Sequence, residues 1–244
     1  MDTTGDSPAS IAAHLILLVV FGFVAVRLLP GRPRPFPVVT VVAVLVIGIP
    51  SLLQFGVPSL GTTLERDPAA TLGRGEWWRP LTALLAQDGG VVAAAFNLLV
   101  VASVVLVAEW TWGRWRTVVV FLGASVIVNL VALAWGARGG GSSFASDGLM
   151  LAVTTWGALG GRIVPLRIVA GLELAIAVAL VILDDAHGLA MLVGAGLGAA
   201  LAILGSARSA TSGNPAHTAD STPGPERTAI MDVSPNGSEG KGDR

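Results

Sequence analysis

Two serines and one histidine are the residues of this chain whose types and spacing suggest covalent chemistry. Ser143 and Ser146 lie at the start of one long apolar run, and His187 lies at the start of another. A serine hydroxyl is a weak nucleophile until a base removes its proton, and an imidazole, which titrates near neutral pH, can do so. Serine–base pairs without an obligatory third carboxylate are known. The chain is therefore a candidate serine hydrolase.

The elements that must position these side chains are membrane-spanning helices. The chain has 244 residues, 53% hydrophobic and 13% charged, and this charged share is about half that of an ordinary soluble domain. Since lipid cannot satisfy bare backbone groups, apolar runs of about 20 residues must cross the membrane as helices. We predict an all-α polytopic membrane helix bundle, with spans at 11–29, 38–55, 91–108, 117–136, 144–161, 166–183 and 187–205.

The two ends of the chain are expected to differ from its centre. Residues 1–37 are predicted to form an extra transmembrane helix and a linker, because the first run follows acidic residues where a cleaved signal peptide would be basic. Residues 38–205 are predicted to form one membrane domain. Residues 206–244 are rich in Ser, Thr, Pro, Gly and Asn. Such a composition cannot bury enough apolar surface to fold, so it predicts a disordered polar tail.

The arginines predict the orientation in the plasma membrane. Cytoplasmic loops carry an excess of Lys and Arg, and here arginines flank the first, third and fifth connections. The N-terminus is then outside and the C-terminus cytoplasmic. The loop 56–90 is expected outside although it carries three arginines, interleaved with acidic residues. The orienting arginines are Arg27, Arg32, Arg34, Arg114, Arg116, Arg162 and Arg167, and those of the loop are Arg66, Arg74 and Arg79.

Other polar or small residues inside the apolar runs also give signals. The amide of Asn97 could donate to the oxyanion of a tetrahedral intermediate, or it could form an ordinary interhelical hydrogen bond. After His187, Gly194 and Gly198 lie on one face of the predicted helix and would let a neighbouring helix approach closely. Glu173 lies mid-span, either as a buried partner of another polar group or as a proton or ion site.

Several other chemistries are not expected from the composition. The absence of cysteine removes disulfides, thiolate catalysis and cysteine-ligated zinc. A formal net charge of -1 gives no basic surface for nucleic acid. The three histidines are far apart in the sequence and make a poor zinc set. We therefore expect no cofactor and no metal, and we assign His14 no role.

Four short motifs lie in order along the chain, one at Trp78 and Arg79, one at Asn97, one from Glu109 to Gly113 and one that begins with Ala186 and His187. Together they resemble those of the rhomboid intramembrane serine proteases. The resemblance covers about residues 38–205 and implies a six-helix rhomboid-like core, with 11–29 as one extra N-terminal helix. Trp78-Arg79-Pro80-Leu81-Thr82 matches WRxxT, Asn97 matches the asparagine of HxxxN, Glu109-Trp110-Thr111-Trp112-Gly113 matches ExxxG, and Ala186-His187 with Gly194 and Gly198 matches AHxxGxxxG except for Ala190 at the first glycine.

The resemblance implies an intramembrane serine endopeptidase. Its partners would be single-span membrane protein substrates and the lipid bilayer, and its oligomeric state is left open. His187 would be the base and Asn97 an oxyanion donor. Trp78 and Arg79 would brace the external loop at the level of the lipid headgroups.

The serine motif is where the chain departs from the family. No frame of residues 141–148 reproduces GxSG. Ser143 keeps the glycine two residues before it but also suits a helix N-cap. Ser146 has no such structural role, so it is the favoured nucleophile and Ser143 is the alternate.

The oxyanion histidine of the family also has no counterpart. Ala93 lies four residues before Asn97, where the family has this histidine, and Gln87 lies near the place of a second one. Losing one oxyanion donor can slow an enzyme by about 10²–10³. The missing histidine leaves open a non-catalytic rhomboid-like protein that binds transmembrane partners. A small transporter using Glu173 is a further alternative.

Overall fold

The protein is all-helical throughout the described part of the chain. The structure, a computed structural model, describes residues 8–32, 34–160 and 164–211. Within these ranges the only extended pairing is one bridge between Arg66 and Gly139. The helices are α1 (Pro8–Leu28), α2 (Val38–Leu53), α3 (Pro58–Leu64), α4 (Arg79–Thr82), α5 (Gly90–Trp112), α6 (Arg114–Ala134), α7 (Ser143–Gly160), α8 (Val164–Ile182) and α9 (Ala186–Thr211), with a π-helical turn at Ala69–Gly73.

Five of these helices are long and apolar enough to cross a membrane, which makes the chain a multi-pass membrane protein. They are α1, α5, α6, α8 and α9. Helix α2 is apolar but shorter, and α7 carries Ser143, Ser146 and Asp147 in its first turns. The predicted helices at 38–55 and 144–161 are thus present, and their crossing of the membrane stays a prediction.

Helix α7 lies at the centre of the bundle. It packs against α1, α5, α6, α8 and α9, and most of its side chains are buried. Polar side chains inside a membrane bundle are tolerated where they face protein instead of lipid. The central position of α7 therefore explains how it can carry a polar first turn.

A stripe of glycines brings α9 directly onto α7. A Cβ atom added at Gly194 would strike the carbonyl oxygen of Gly148, and one added at Gly198 would strike that of Ala152. Small residues allow such backbone contact between membrane helices. The close approach predicted from the stripe is confirmed, and it sets the beginnings of α7 and α9 side by side.

Glu109 joins the end of α5 to the beginning of α2. Its carboxylate accepts the backbone N–H groups of Val39 (3.1 Å) and Thr40 (3.0 Å), and the Thr40 hydroxyl donates to it as well. The first N–H groups of a helix have no partner within the helix, and they favour a negative charge. Gly113 follows with φ of 83°, which allows the tight turn into α6.

Arg79 fastens the loop between α2 and α5. Its guanidinium donates to the carbonyl oxygens of Thr62 and Glu65, both at 2.9 Å, and to the carboxylate of Glu76 at 2.6 Å. Arg79 is buried, whereas the neighbouring Trp78 is about half exposed at 51%. Arg79 thus braces the loop by hydrogen bonds, and the place predicted for Trp78 and Arg79 at the level of the lipid headgroups stays a prediction.

Arg66 fastens the same loop to the connection between α6 and α7. It is 1% exposed and donates to the carbonyl oxygens of Ala137 (2.8 Å) and Arg138 (3.1 Å) and to Asn129 (2.6 Å). Burial lowers the pKa of Arg66 to about 10, so the guanidinium is still charged at neutral pH. Two of the three arginines of this loop therefore serve its folding, which explains their presence on the side predicted to be outside.

At the C-terminal end the helix is longer than the predicted span. Helix α9 continues to Thr211, beyond the position 205 at which the last span was predicted to end. The rest of the predicted tail, 212–244, lies outside the described residues, as do 1–7 and 161–163, the last of which includes Arg162.

Candidate active site

The central feature of the site is a direct contact between Ser143 and His187. The Oγ atom of Ser143 lies 2.9 Å from Nε2 of His187. Ser143 is the first residue of α7 and His187 is the second residue of α9. Because the two helices are in backbone contact along the glycine stripe, their first turns lie at the same level. The structure therefore brings together a serine and a base at hydrogen-bonding distance.

Asp185 completes a chain of three side chains. One of its carboxylate oxygens lies 2.6 Å from Nδ1 of His187. A carboxylate accepts only, so it assigns the ring proton to Nδ1 and leaves the lone pair of Nε2 directed at Ser143. Both Asp185 and His187 are buried. This carboxylate was not predicted from the sequence, although its place two residues before His187 was a usable signal.

The preference for Ser146 is corrected to Ser143. Ser146 lies one turn further into α7, and its hydroxyl donates to the carbonyl oxygens of Ser142 (3.3 Å) and Ser143 (3.1 Å). Serine inside a helix commonly bonds back to the preceding turn in this way. The Ser146 hydroxyl is therefore used within its own helix. Ser143, first named as the alternate, is the serine in contact with His187.

Asn97 belongs to a row of polar side chains beside Ser143. Its amide donates to Oε1 of Gln87 at 2.8 Å, and the amide of Gln87 donates to Oγ of Ser142 at 3.0 Å. The backbone of Gln87 is held by both ends of the Gln54 side chain. From the sequence, Gln87 was expected only to stand near the place of a histidine. The structure shows that it connects Asn97 to the residue before Ser143.

The first turn of α7 supplies further hydrogen-bond donors. The leading N–H groups of a helix are not used by the helix itself. They carry partial positive charge and are well suited to a developing oxyanion. With Ser143 at the first position of α7, these groups lie next to its hydroxyl.

A cavity of about 430 Å³ opens onto Ser143 and His187. Its size is in the range of small-molecule sites in proteins, about 300–1,000 Å³. It lies between α1 on one side and the beginning of α5 on the other. Its lining consists of Ile11, His14, Leu15, Asp88, Gly89, Val92, Ala93, Phe96, Asn97, Ser143 and His187.

His14 lies in the site, although no role was expected for it from the sequence. Its Nε2 lies 3.0 Å from Oδ2 of Asp147, and its ring meets that of His187 edge-on at 4.8 Å. The histidines were expected to be far apart, but α1 packs against α5, α7 and α8. That packing carries His14 to the beginning of α7 and α9.

Comparison with known proteins gives no family assignment. A scan of the chain against protein-family models finds no match, and a search of the curated proteins finds none. The resemblance to rhomboids therefore rests on the four motifs alone.

Proposed function

We propose that this chain is a rhomboid-type intramembrane serine endopeptidase with Ser143 as nucleophile and His187 as base. The observation that supports this best is the 2.9 Å contact between Ser143 Oγ and His187 Nε2. The carboxylate of Asp185 on the opposite ring nitrogen orients the base and would stabilise the imidazolium. The six-helix rhomboid-like core, 38–205, and the extra N-terminal helix belong to the same proposal.

The reaction runs through an acyl-enzyme. As Ser143 Oγ attacks the scissile carbonyl carbon, His187 Nε2 takes the hydroxyl proton and the carbonyl π electrons move to oxygen. Collapse of the tetrahedral intermediate breaks the C–N bond, and His187 gives its proton to the leaving amine. Water then attacks the ester while His187 takes its proton, and collapse of the second tetrahedral intermediate breaks the C–O bond as His187 returns the proton to Ser143 Oγ, which releases the carboxyl product.

The oxyanion is held by Asn97 and by the N–H groups that begin α7. One proton of the Asn97 amide is directed to Gln87, and an amide has a second one to offer. The donors are fixed before the substrate arrives, and such preorganisation is the main source of oxyanion stabilisation. Gln87, held by Gln54, is in this view a positioning residue for Asn97.

The substrates proposed are single-span membrane proteins, cut in or beside the transmembrane helix. Ser143 and His187 begin helices of a membrane bundle, and the cavity between α1 and α5 reaches them. With the N-terminus outside and the C-terminus cytoplasmic, as the arginines predict, the site is near the outer surface of the plasma membrane. Arg66 and Arg79 hold the loop that lies over this end of the bundle.

The test is cleavage of a membrane substrate by the purified full chain in liposomes. A labelled single-span protein should give two fragments with the parent and none with Ser143→Ala. Ser146→Ala, a change of the same size one turn away, is the matched control and should still cut. An inactive, folded parent that retains the substrate on co-purification would instead support the non-catalytic binding function.

Non-catalytic binding is the second candidate function, and one observation favours it. Ala93 lines the cavity beside Asn97, so the position that holds a histidine in the family offers no donor here. A transporter has less support, because Glu173 is fully buried and does not line the cavity at Ser143.

A further inference from the structure

Three possible metal ligands from three different helices meet beside Ser143. They are His14 of α1, Asp147 of α7 and His187 of α9, and their ligand atoms all lie within 4.8 Å of one another. His14 and Asp147 have no part in the proposed hydrolysis. Their separation along the chain, 133 residues, shows that only the packing of α1 brings them together.

The distances suit a metal ion after a small adjustment. Zinc lies about 2.0–2.2 Å from imidazole nitrogen and carboxylate oxygen, so neighbouring ligands of a tetrahedral site are about 3.4 Å apart. The His14 Nε2–Asp147 Oδ2 distance is 3.0 Å, and the widest separation in the group is at most 4.8 Å. Closing the widest gap from 4.8 Å to about 3.4 Å requires side-chain movements that together amount to about 1.4 Å.

The surroundings of His187 also match those of a metal-bound histidine. Such a ring typically donates its second N–H to a carboxylate, which fixes the tautomer and makes the free nitrogen more basic. Asp185 accepts that proton at 2.6 Å. The Nε2 lone pair points to Ser143 Oγ at 2.9 Å, so the Ser143 hydroxyl has to rotate aside for an ion to bind this nitrogen. Both histidines line the open cavity, which provides an entry path.

We propose that His14, Asp147 and His187 form a binding site for a divalent transition metal, best suited to Zn²⁺. Two nitrogen ligands favour zinc over magnesium and calcium, which prefer oxygen. The ion would occupy the Nε2 lone pair that the Ser143 proton needs, so bound metal would switch the serine chemistry off. Metal binding stands by itself, and only the inhibition rests on the proposed function.

The test uses Co²⁺ as a spectroscopic probe on the purified, metal-stripped full chain in detergent. The parent should develop visible d–d bands at one equivalent, and Zn²⁺ should displace them. His14→Ala should weaken Co²⁺ binding by about 100-fold or more, since loss even of outer-shell partners costs about 10–100-fold. His217→Ala, which removes a histidine of the C-terminal segment, is the matched control and should bind as the parent does.

A labelling experiment on the same samples separates the two claims. Zn²⁺ should slow the reaction of the parent with a fluorophosphonate probe, and the ratio of rates with and without Zn²⁺ should return to one in His14→Ala. Labelling without any zinc effect, and without cobalt bands, would overturn the metal site and leave the hydrolase. Cobalt bands in a parent that never labels would keep the site and overturn the hydrolase.

Folding of the variants is controlled by melting in the absence of metal. His14→Gln, which keeps a polar side chain of similar reach, is the second variant and should also lose the cobalt bands. If both variants fail to fold, the parent alone decides: binding to the native state should raise its melting temperature with added Zn²⁺. No rise at saturating Zn²⁺ would contradict the proposal.

Discussion

Asp185 holds His187 twice through a single oxygen. Its Oδ1 accepts the backbone N–H of His187 at 2.9 Å and lies 2.6 Å from the ring Nδ1. The first bond is that of a helix N-cap, since Asp185 immediately precedes α9 and His187 is its second residue. The same carboxylate therefore starts the helix and orients its imidazole, so the base is fixed at the point where α9 begins.

Asp185→Asn should slow the reaction of Ser143 with a fluorophosphonate probe by about 10³–10⁴. The asparagine can still cap α9, but its amide can donate to Nδ1 and favour the wrong tautomer of His187. Labelling kinetics in detergent measure the effect. Asp184→Asn, at the adjacent position, is the control and should label nearly as fast as the parent. Equal rates for both variants would remove Asp185 from the mechanism.

Ser143→Ala should abolish labelling, whereas Ser146→Ala should change its rate by less than about tenfold. Ser143→Ala removes the hydroxyl that contacts His187. Ser146→Ala removes only hydrogen bonds to carbonyl oxygens of the preceding turn of α7. Mass spectrometry of the labelled peptide identifies the modified serine. Adduct on Ser146 would restore the preference drawn from the sequence.

Gly194→Ala should destabilise the protein by about 1–3 kcal/mol or more and reduce labelling, because its Cβ would push α9 away from Gly148. Gly196→Ala is the matched control on the same helix, where an added Cβ meets nothing within 4 Å. It should be neutral or slightly stabilising, since alanine favours helix over glycine. Thermal melts in detergent compare the two. Equal melting temperatures would show that α7 and α9 are not in backbone contact.

Glu173→Met should raise the free energy of unfolding by about 1–3 kcal/mol. Glu173 is fully buried, and neither carboxyl oxygen has a well-formed hydrogen bond among the described residues. The neighbouring Thr154 hydroxyl donates to Met150 instead. Replacing an unsatisfied polar group by an apolar one of similar shape removes the cost of its desolvation.

Glu173→Gln is the control for this change, because it keeps a polar group at the same place and should give no such gain. Denaturant titration of the reconstituted protein measures both variants. A loss of stability in Glu173→Met, together with loss of proton or ion flux in liposomes, would favour the transporter.

The positions of the long helices were predictable, because lipid forces every long apolar run to be helical. The choice between Ser143 and Ser146 was not, since the two serines lie three residues apart and share a helix face. Only the position at which α7 begins decides which hydroxyl reaches the base. Asp185 could have been found from its place beside His187.

His14 could not have been assigned to the site from the sequence. Its contact with Asp147 spans 133 residues and depends on where α1 packs. Hydropathy predicts that α1 is a helix, but it does not predict which other helices α1 will pack against. The proposed grouping of His14 with Asp147 and His187 was not predicted for the same reason.

The position of α1 beside the cavity means that the proposed substrates would have to compete with this helix. Ile11, His14 and Leu15 form one wall next to Ser143, and the short connection from Leu28 to Val38 ties that wall to α2. A transmembrane segment that approaches from this side must displace a helix of the same chain. Short tethers hold their ends at effective concentrations on the order of millimolar. A segment that enters here would therefore compete with α1, which is covalently attached to the same bundle.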